Sequence, residues 1–183
     1  MGAELYYYTT AYTSDPNDAL ESLQTLRLDR YDLPKMVASN VTSCEQAFVD
    51  TPEGDEFGLH EHYKTDLERA RTIASEPIPT DFAGRLNLVR RLHYGTGQGI
   101  GNILDVEGVA GSVGARWCSA KPLAPVEVIS KFGTDKLLTA EAGQYADAAN
   151  EWLGRGECVC FPLYNALGDE EPIEWCFVLN TVD

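Results

Sequence analysis

The stretch His93–Asn102, HYGTGQGIGN, carries glycine at 95, 97, 99 and 101. Glycine at this density marks backbone that turns tightly or approaches another group closely. Arg85, Arg90, Arg91 and His93 come just before it and form the densest basic cluster in the chain. Arginine forks beside exposed glycine amides are the ingredients of an anion site, here Arg90, Arg91, Gly95, Gly97 and Gly99. A nucleotide phosphate loop asks for more. It needs a strand, then the glycine turn, then a helix whose N-terminus faces the phosphate. Here a helical pattern precedes the glycines and a strand pattern follows them. No G-x-G-x-x-G and no G-K-[ST] occurs. The first reading of the glycines is therefore a helix C-cap running into a strand, with the basic residues complementing the helix dipole. The anion site is the alternative.

Three other groupings have chemical potential. In an extended segment Glu56, His60 and His62 would share one face, and two histidines with a carboxylate can hold zinc. The spacing matches no sharp metal motif, and a polar hairpin face explains it equally, so no metal is expected. Cys158-Val159-Cys160 places two thiols on one strand face. Whether Cys176 joins them depends on register, since a slip of one residue reverses its face. Buried structural thiols are the expectation there. Cys118 beside Trp117 is a candidate nucleophile with His93 as its base, should the fold bring them together. The three tryptophans, Trp117, Trp152 and Trp175, read as core or rim residues rather than a ligand box.

The elements that must position these residues follow from pattern. Glu4 to Thr13 is Tyr/Thr-rich and reads as a strand, with Tyr6, Tyr8 and Tyr12 on one face. Asp15 caps and Pro16 opens a helix whose stripe is Leu20, Leu23 and Leu26. Met36 to Asp50 reads as one or two short strands, and Phe57 to Tyr63 as a hairpin arm. Thr65-x-x-Glu68 is a capping-box pattern, so a helix is expected over 67–75. Asp81 caps the next helix, whose apolar face is Phe82, Leu86, Val89 and Leu92 or His93. Ile103 to Val106 and Ser112 to Trp117 read as strands around a turn at 108–111. Pro122 and Pro125 lead into a helix over 126–132. Leu137 to Trp152 is either helix throughout or a strand followed by a helix. Cys158 to Leu163 and Ile173 to Val182 form a terminal β-hairpin.

The chain has 183 residues, 29 acids against 14 bases, and a net charge of −15. Such a field repels phosphates, which disfavours nucleic acid and anionic membranes as partners. The acids are scattered rather than blocked, so solubility explains them. Docking to a basic protein, or mimicry of nucleic acid, is the sharper alternative. No run approaches the roughly 18 apolar residues of a membrane span. MGAELYYYTTAY lacks the features of a secretory signal. Five cysteines, an odd number, suggest reduced thiols and a cytoplasmic setting.

Tyr94-Gly95-Thr96-Gly97-Gln98, then Trp117-Cys118-Ser119, then Pro122-Leu123-Ala124-Pro125-Val126 and a helix form a recognisable series. It resembles the W-G-T-K-W stretch and the Trp-Ser-Pro-type motif of the YubB-like proteins, a plasmid- and phage-encoded family of ferredoxin-like domains. The N-terminal strand and its acid-capped, leucine-striped helix are similar too. The resemblance covers the first 30 residues and roughly 85 to 135. It implies an α/β sandwich with an antiparallel sheet, and it implies no activity.

Together these readings predict one α+β domain over residues 1–183, ending in a β-hairpin at about 157–182. The expected architecture is a ferredoxin-like sandwich with an antiparallel sheet and helices mainly on one face. The expected role is a cytoplasmic, non-catalytic binding or accessory module of mobile-element origin, with no cofactor and an unidentified protein or small-molecule partner. The rivals are a small hydrolase or transferase, using Cys118 with His93 or a metal at His60 and His62, and an acidic nucleic-acid mimic. The charge carries a direct consequence. Self-repulsion at −15 opposes compaction at low ionic strength. The melting temperature should therefore rise as salt is added from near zero; a flat or falling trend would show that the acids are already neutralised by neighbouring bases.

Overall fold

In the computed structural model, residues 5–94, 101–110 and 119–181 are described. The fold class is α+β, in two compact units: Met1–Arg27 with Gly101–Asp183, and Leu28–Ile100. The strand expected at Ser112–Trp117 lies outside the described residues.

The first unit is built on one sheet. Its strands are β1 (Leu5–Ala11), β2 (Gly108–Val109), β3 (Ser119–Pro122), β4 (Leu137–Leu138), β5 (Cys158–Tyr164) and β6 (Glu174–Asn180). They lie in the order β1-β6-β5-β3-β2, with β4 also paired to β5. β6 runs antiparallel to both β1 and β5. β2–β3, β3–β5 and β4–β5 are parallel. The sheet is therefore mixed, and the antiparallel expectation is corrected. The cause is connectivity. Parallel neighbours need a crossover, usually a helix. The helices α5 (Pro125–Phe132) and α6 (Ala142–Ala149) lie between β3, β4 and β5 in the chain and provide it. Leu137 to Trp152 thus resolves as strand, a 3₁₀ turn at Thr139–Glu141, and helix.

Helices also cover both faces, not mainly one. On one side α1 (Pro16–Leu28) packs Ala19, Leu20 and Leu23 against Cys158, Cys160, Trp175, Phe177 and Leu179. On the other, Val128 of α5 and Ala142, Ala146 and Ala149 of α6 cover Val159, Phe161, Leu163, Cys176 and Val178. The central hairpin reads as nearly unbroken apolar sequence because it is buried from both sides.

Asp15 opens α1 as expected, its carboxylate accepting the Asn17 N–H at 2.8 Å. The leucine stripe is corrected, because Leu26 is 61% exposed. Six residues on from Leu20 the helix has turned most of the way round to solvent. Gln24 takes the inward place instead. Its amide donates to the carbonyls of Ile103 at 3.0 Å and Val106 at 2.7 Å. Ile103–Asp105 is a 3₁₀ turn rather than a strand, because the Asn102 side chain accepts the Leu104 N–H and caps it. Gly108–Val109 forms β2, where a turn was expected.

The second unit holds α2 (Leu33–Asp50), α3 (Leu59–Ser75) and α4 (Phe82–Tyr94). The strands expected at Met36–Asp50 are helix α2. Asp32 caps it by accepting the Lys35 N–H at 3.1 Å, and Pro34 sits in its first turn. The β-branched residues of this segment favour strand locally, but packing against α3 overrides that preference. The hairpin arm expected at Phe57–Tyr63 is likewise corrected. The Asp55 carboxylate accepts the N–H groups of Phe57, Leu59 and His60, and α3 begins there, six residues before the Thr65 pattern. α4 starts as expected: Asp81 accepts the Gly84 N–H, and Leu86, Val89 and Leu92 are buried.

Gln24 tests the first unit. Gln24→Ala removes two buried hydrogen bonds and should cost about 1–3 kcal/mol in urea denaturation. Leu26→Ala should change stability by less than about 0.5 kcal/mol. Equal losses from the two substitutions would contradict the observed helix rotation.

Candidate functional site

The basic cluster on α4 is closed by ion pairs. Arg91 holds Glu76 in a two-pronged contact, Nη1 to Oε2 at 2.6 Å and Nη2 to Oε1 at 2.8 Å. The pairing lowers the Glu76 carboxyl and raises the Arg91 guanidinium. Arg85 binds Asp29 at 2.9 Å. Arg90 and His93 are half-buried on α4 and each has an interaction partner. Gly95, Gly97 and Gly99 lie outside the described residues, as does Cys118, the nucleophile candidate for His93. A concavity of about 280 Å³ sits beside the Arg91–Glu76 pair, among Pro77, Pro79 and Leu88. Its two charged groups satisfy each other and leave little to bind a ligand.

The metal set of Glu56, His60 and His62 is taken apart by the helix. Residues two apart on a helix diverge by about 200°. His60 Nδ1 meets the Thr51 carbonyl at 2.7 Å, and its ring lies 4.6 Å from that of Phe48. His62 instead pairs with Asp66 at 3.3 Å. Glu56 stays in the turn before α3. Among the described residues no three His, Cys, Asp or Glu side chains gather into a metal site.

Register decides the cysteines. Phe161 stands opposite Cys176, so Cys176 belongs to the α5/α6 face, away from Cys158 and Cys160. Burial pushes the thiols of Cys160 and Cys176 up to about 12. Neither is a nucleophile at neutral pH.

One groove of the first unit combines space with available polar groups. It encloses about 450 Å³ between β3, α5 and the turn that leads into β5. The strand β3 alternates, so Ala120 enters the core while Lys121 is exposed. Glu127 reaches back from the first turn of α5 to the Ala124 N–H at 3.0 Å, and its other oxygen takes Lys121 Nζ at 2.6 Å. These contacts hold the Glu127 carboxyl below its ordinary range, the lysine more than the amide. One turn further, Lys131 lies with Nζ 3.5 Å from the centre of the Trp152 ring. Trp152 is braced edge-on by Phe132. Its indole N–H is buried and has no hydrogen-bond partner among the described residues. The far wall is stiffened by Glu157, whose carboxylate accepts the Gly154 N–H at 2.7 Å, and by Gly156 at φ 75°.

Both groove carboxylates are thus engaged with donors of the protein itself. Lys131 has no ion-pair partner among the described residues. The groove offers an aromatic wall and a cation, which together suit an anion with an apolar body. Sequence reasoning missed this site. The Glu127/Lys131 spacing on one helix face was available as a signal. The approach of Lys131 to Trp152, 21 residues away in sequence, was not.

Comparison of the chain with protein-family models, with curated proteins and with solved structures finds no match. Among the described residues no helix is long and apolar enough to cross a membrane.

The lowered carboxyls carry a pH signature. Asp55 is held down chiefly by the His60 and Leu59 N–H groups, Glu76 by Arg91 and Glu127 by Lys121. A carboxyl lower in the folded than in the unfolded state adds stability above its unfolded value, about 4.1 on average for Asp and Glu. That stability is lost as pH falls through the folded values. Urea midpoints should hold steady down to about pH 5 and fall below about pH 4. The triple variant Asp55→Asn, Glu76→Gln, Glu127→Gln should show a shallower acid limb. An unchanged acid limb would assign the loss to other carboxylates.

Proposed function

We propose that this chain is a non-catalytic binding module whose ligand is a small organic anion with an apolar or aromatic body, held in the groove beside Trp152. The observation that carries the reading is Lys131 over the Trp152 ring, at an open groove in a chain of net charge −15. A cation in an acidic surround is notable when its nearest carboxylates are already occupied. Lys121 at the same rim is neutralised by Glu127, so the attraction for an anion rests on Lys131. Cys44, Cys158, Cys160 and Cys176 form no disulfide among the described residues, which supports a reducing, cytoplasmic setting. The YubB-like affiliation, its ferredoxin-like ancestry and a mobile-element origin belong to this proposal. They rest on Tyr94-Gly95-Thr96 and Trp117-Cys118-Ser119 as sequence.

Phenyl phosphate and benzoate are suitable probes. Each should quench tryptophan fluorescence saturably and raise the melting temperature by linkage. Lys131→Ala should weaken binding roughly 10- to 150-fold, the range expected for a lost hydrogen bond to a charged group. Trp152→Phe should remove the fluorescence response while leaving the fold intact. Absence of saturable binding at millimolar probe would overturn the reading. So would hydrolysis of p-nitrophenyl acetate that is abolished by Cys118→Ser or His93→Ala, because it would place the chain among the hydrolases.

A further inference from the structure

We propose that β1 is a pairing edge for a second copy of the chain, so that two sheets join antiparallel through β1 across a two-fold axis. β1 lies at the end of the strand order and has β6 as its one neighbour. The Tyr12 N–H bonds to the Ile173 carbonyl at 2.9 Å, which sets the phase of the ladder. In that phase Tyr6, Tyr8 and Thr10 turn their backbone groups toward β6. Leu5, Tyr7, Thr9 and Ala11 turn theirs outward, where they have no partner among the described residues.

Soluble proteins usually blunt such an edge with a charge, a proline, a bulge or a very short strand. β1 has none of these. Its sequence LYYYTTA is uncharged and proline-free, and its register runs unbroken from Leu5↔Asn180 to Ala11↔Glu174. At the opposite end of the sheet β2 covers two of the described residues, too few to offer a comparable edge there.

The edge is complementary to itself. With the two-fold axis at Tyr8, Tyr7 of each copy stands opposite Thr9 of the other, and Leu5 opposite Ala11. All four outward residues then meet outward residues, and each pair exchanges both N–H···O bonds. Aromatic residues facing β-branched threonine are favourable cross-strand neighbours. Charge selects the occupant. A basic partner strand would call for carboxylates along the edge, and Leu5–Ala11 carries none. A neutral strand identical to itself fits. The contact is isologous, so it closes at the dimer instead of growing into a fibre.

Sedimentation velocity on the full chain tests this over a range of protein and salt concentrations. The wild type should dimerise, and more tightly as salt screens the repulsion between two copies of charge −15. Thr9→Pro removes an outward N–H and no bond of the ladder to β6. Thr9→Lys places a charge at an exposed position on the edge. Each should raise the dimer Kd at least about tenfold while keeping the wild-type far-UV circular dichroism. The lysine variant preserves the test if the proline disturbs folding. A wild type that stays monomeric at every concentration and salt would refute the pairing. So would a dimer unaffected by Thr9→Lys, because another surface would then hold it. Neither result bears on the groove, which binds or fails to bind its probes independently.

Discussion

The hairpin β5–β6 has to be buried on both faces, and the first unit is organised around that need. From Cys158 to Phe161 and from Trp175 to Asn180 every residue is buried. Alternate side chains leave opposite faces of a strand, so a hairpin without a polar face cannot rest on one layer of helices. It needs α1 on one side and α5 with α6 on the other. Because α5 and α6 lie between β3, β4 and β5 in the chain, they also act as crossovers. β3 and β4 thus reach the same edge of β5 in the parallel sense, β3 beside residues 158–160 and β4 beside 163–164. The groove at Trp152 is a product of this arrangement, lying where α5 and the turn after α6 approach the strand ends.

Many of the acids have local structural work. Asp15, Asp32, Asp55, Asp81 and Asp105 each accept backbone N–H groups at or near the start of a helix or turn. Glu127, Glu157 and Asp169 do the same at later turns. A carboxylate beside these exposed donors satisfies groups that the helix itself leaves open and complements the positive end of its dipole. The excess of acid is therefore partly a set of caps, distributed along the chain. The same distribution leaves the groove distinctive. Its carboxylates are tied to Lys121 and to main-chain donors, while Lys131 rests on an aromatic face.

The sequence by itself determined what short-range hydrogen bonding and periodicity control. Asp15-Pro16 and Asp81 marked helix starts, and Pro125 marked the start of α5. The apolar run Cys158–Leu163 marked a strand. Where two local preferences competed, the sequence misled. Met36–Asp50 carries Val37, Val41, Thr42, Phe48 and Val49, residues at home in strands, yet the Asp32 cap and packing against α3 make it a helix. His60 and His62 would share a face in a strand and are parted on a helix, so one misjudged element dissolved the metal set. Tertiary structure alone decided the rest. The direction of β3 and β4, the face that Cys176 takes and the meeting of Lys131 with Trp152 depend on contacts between residues far apart in sequence. Such contacts are set by which surfaces can be buried together, and a local pattern carries no record of that choice.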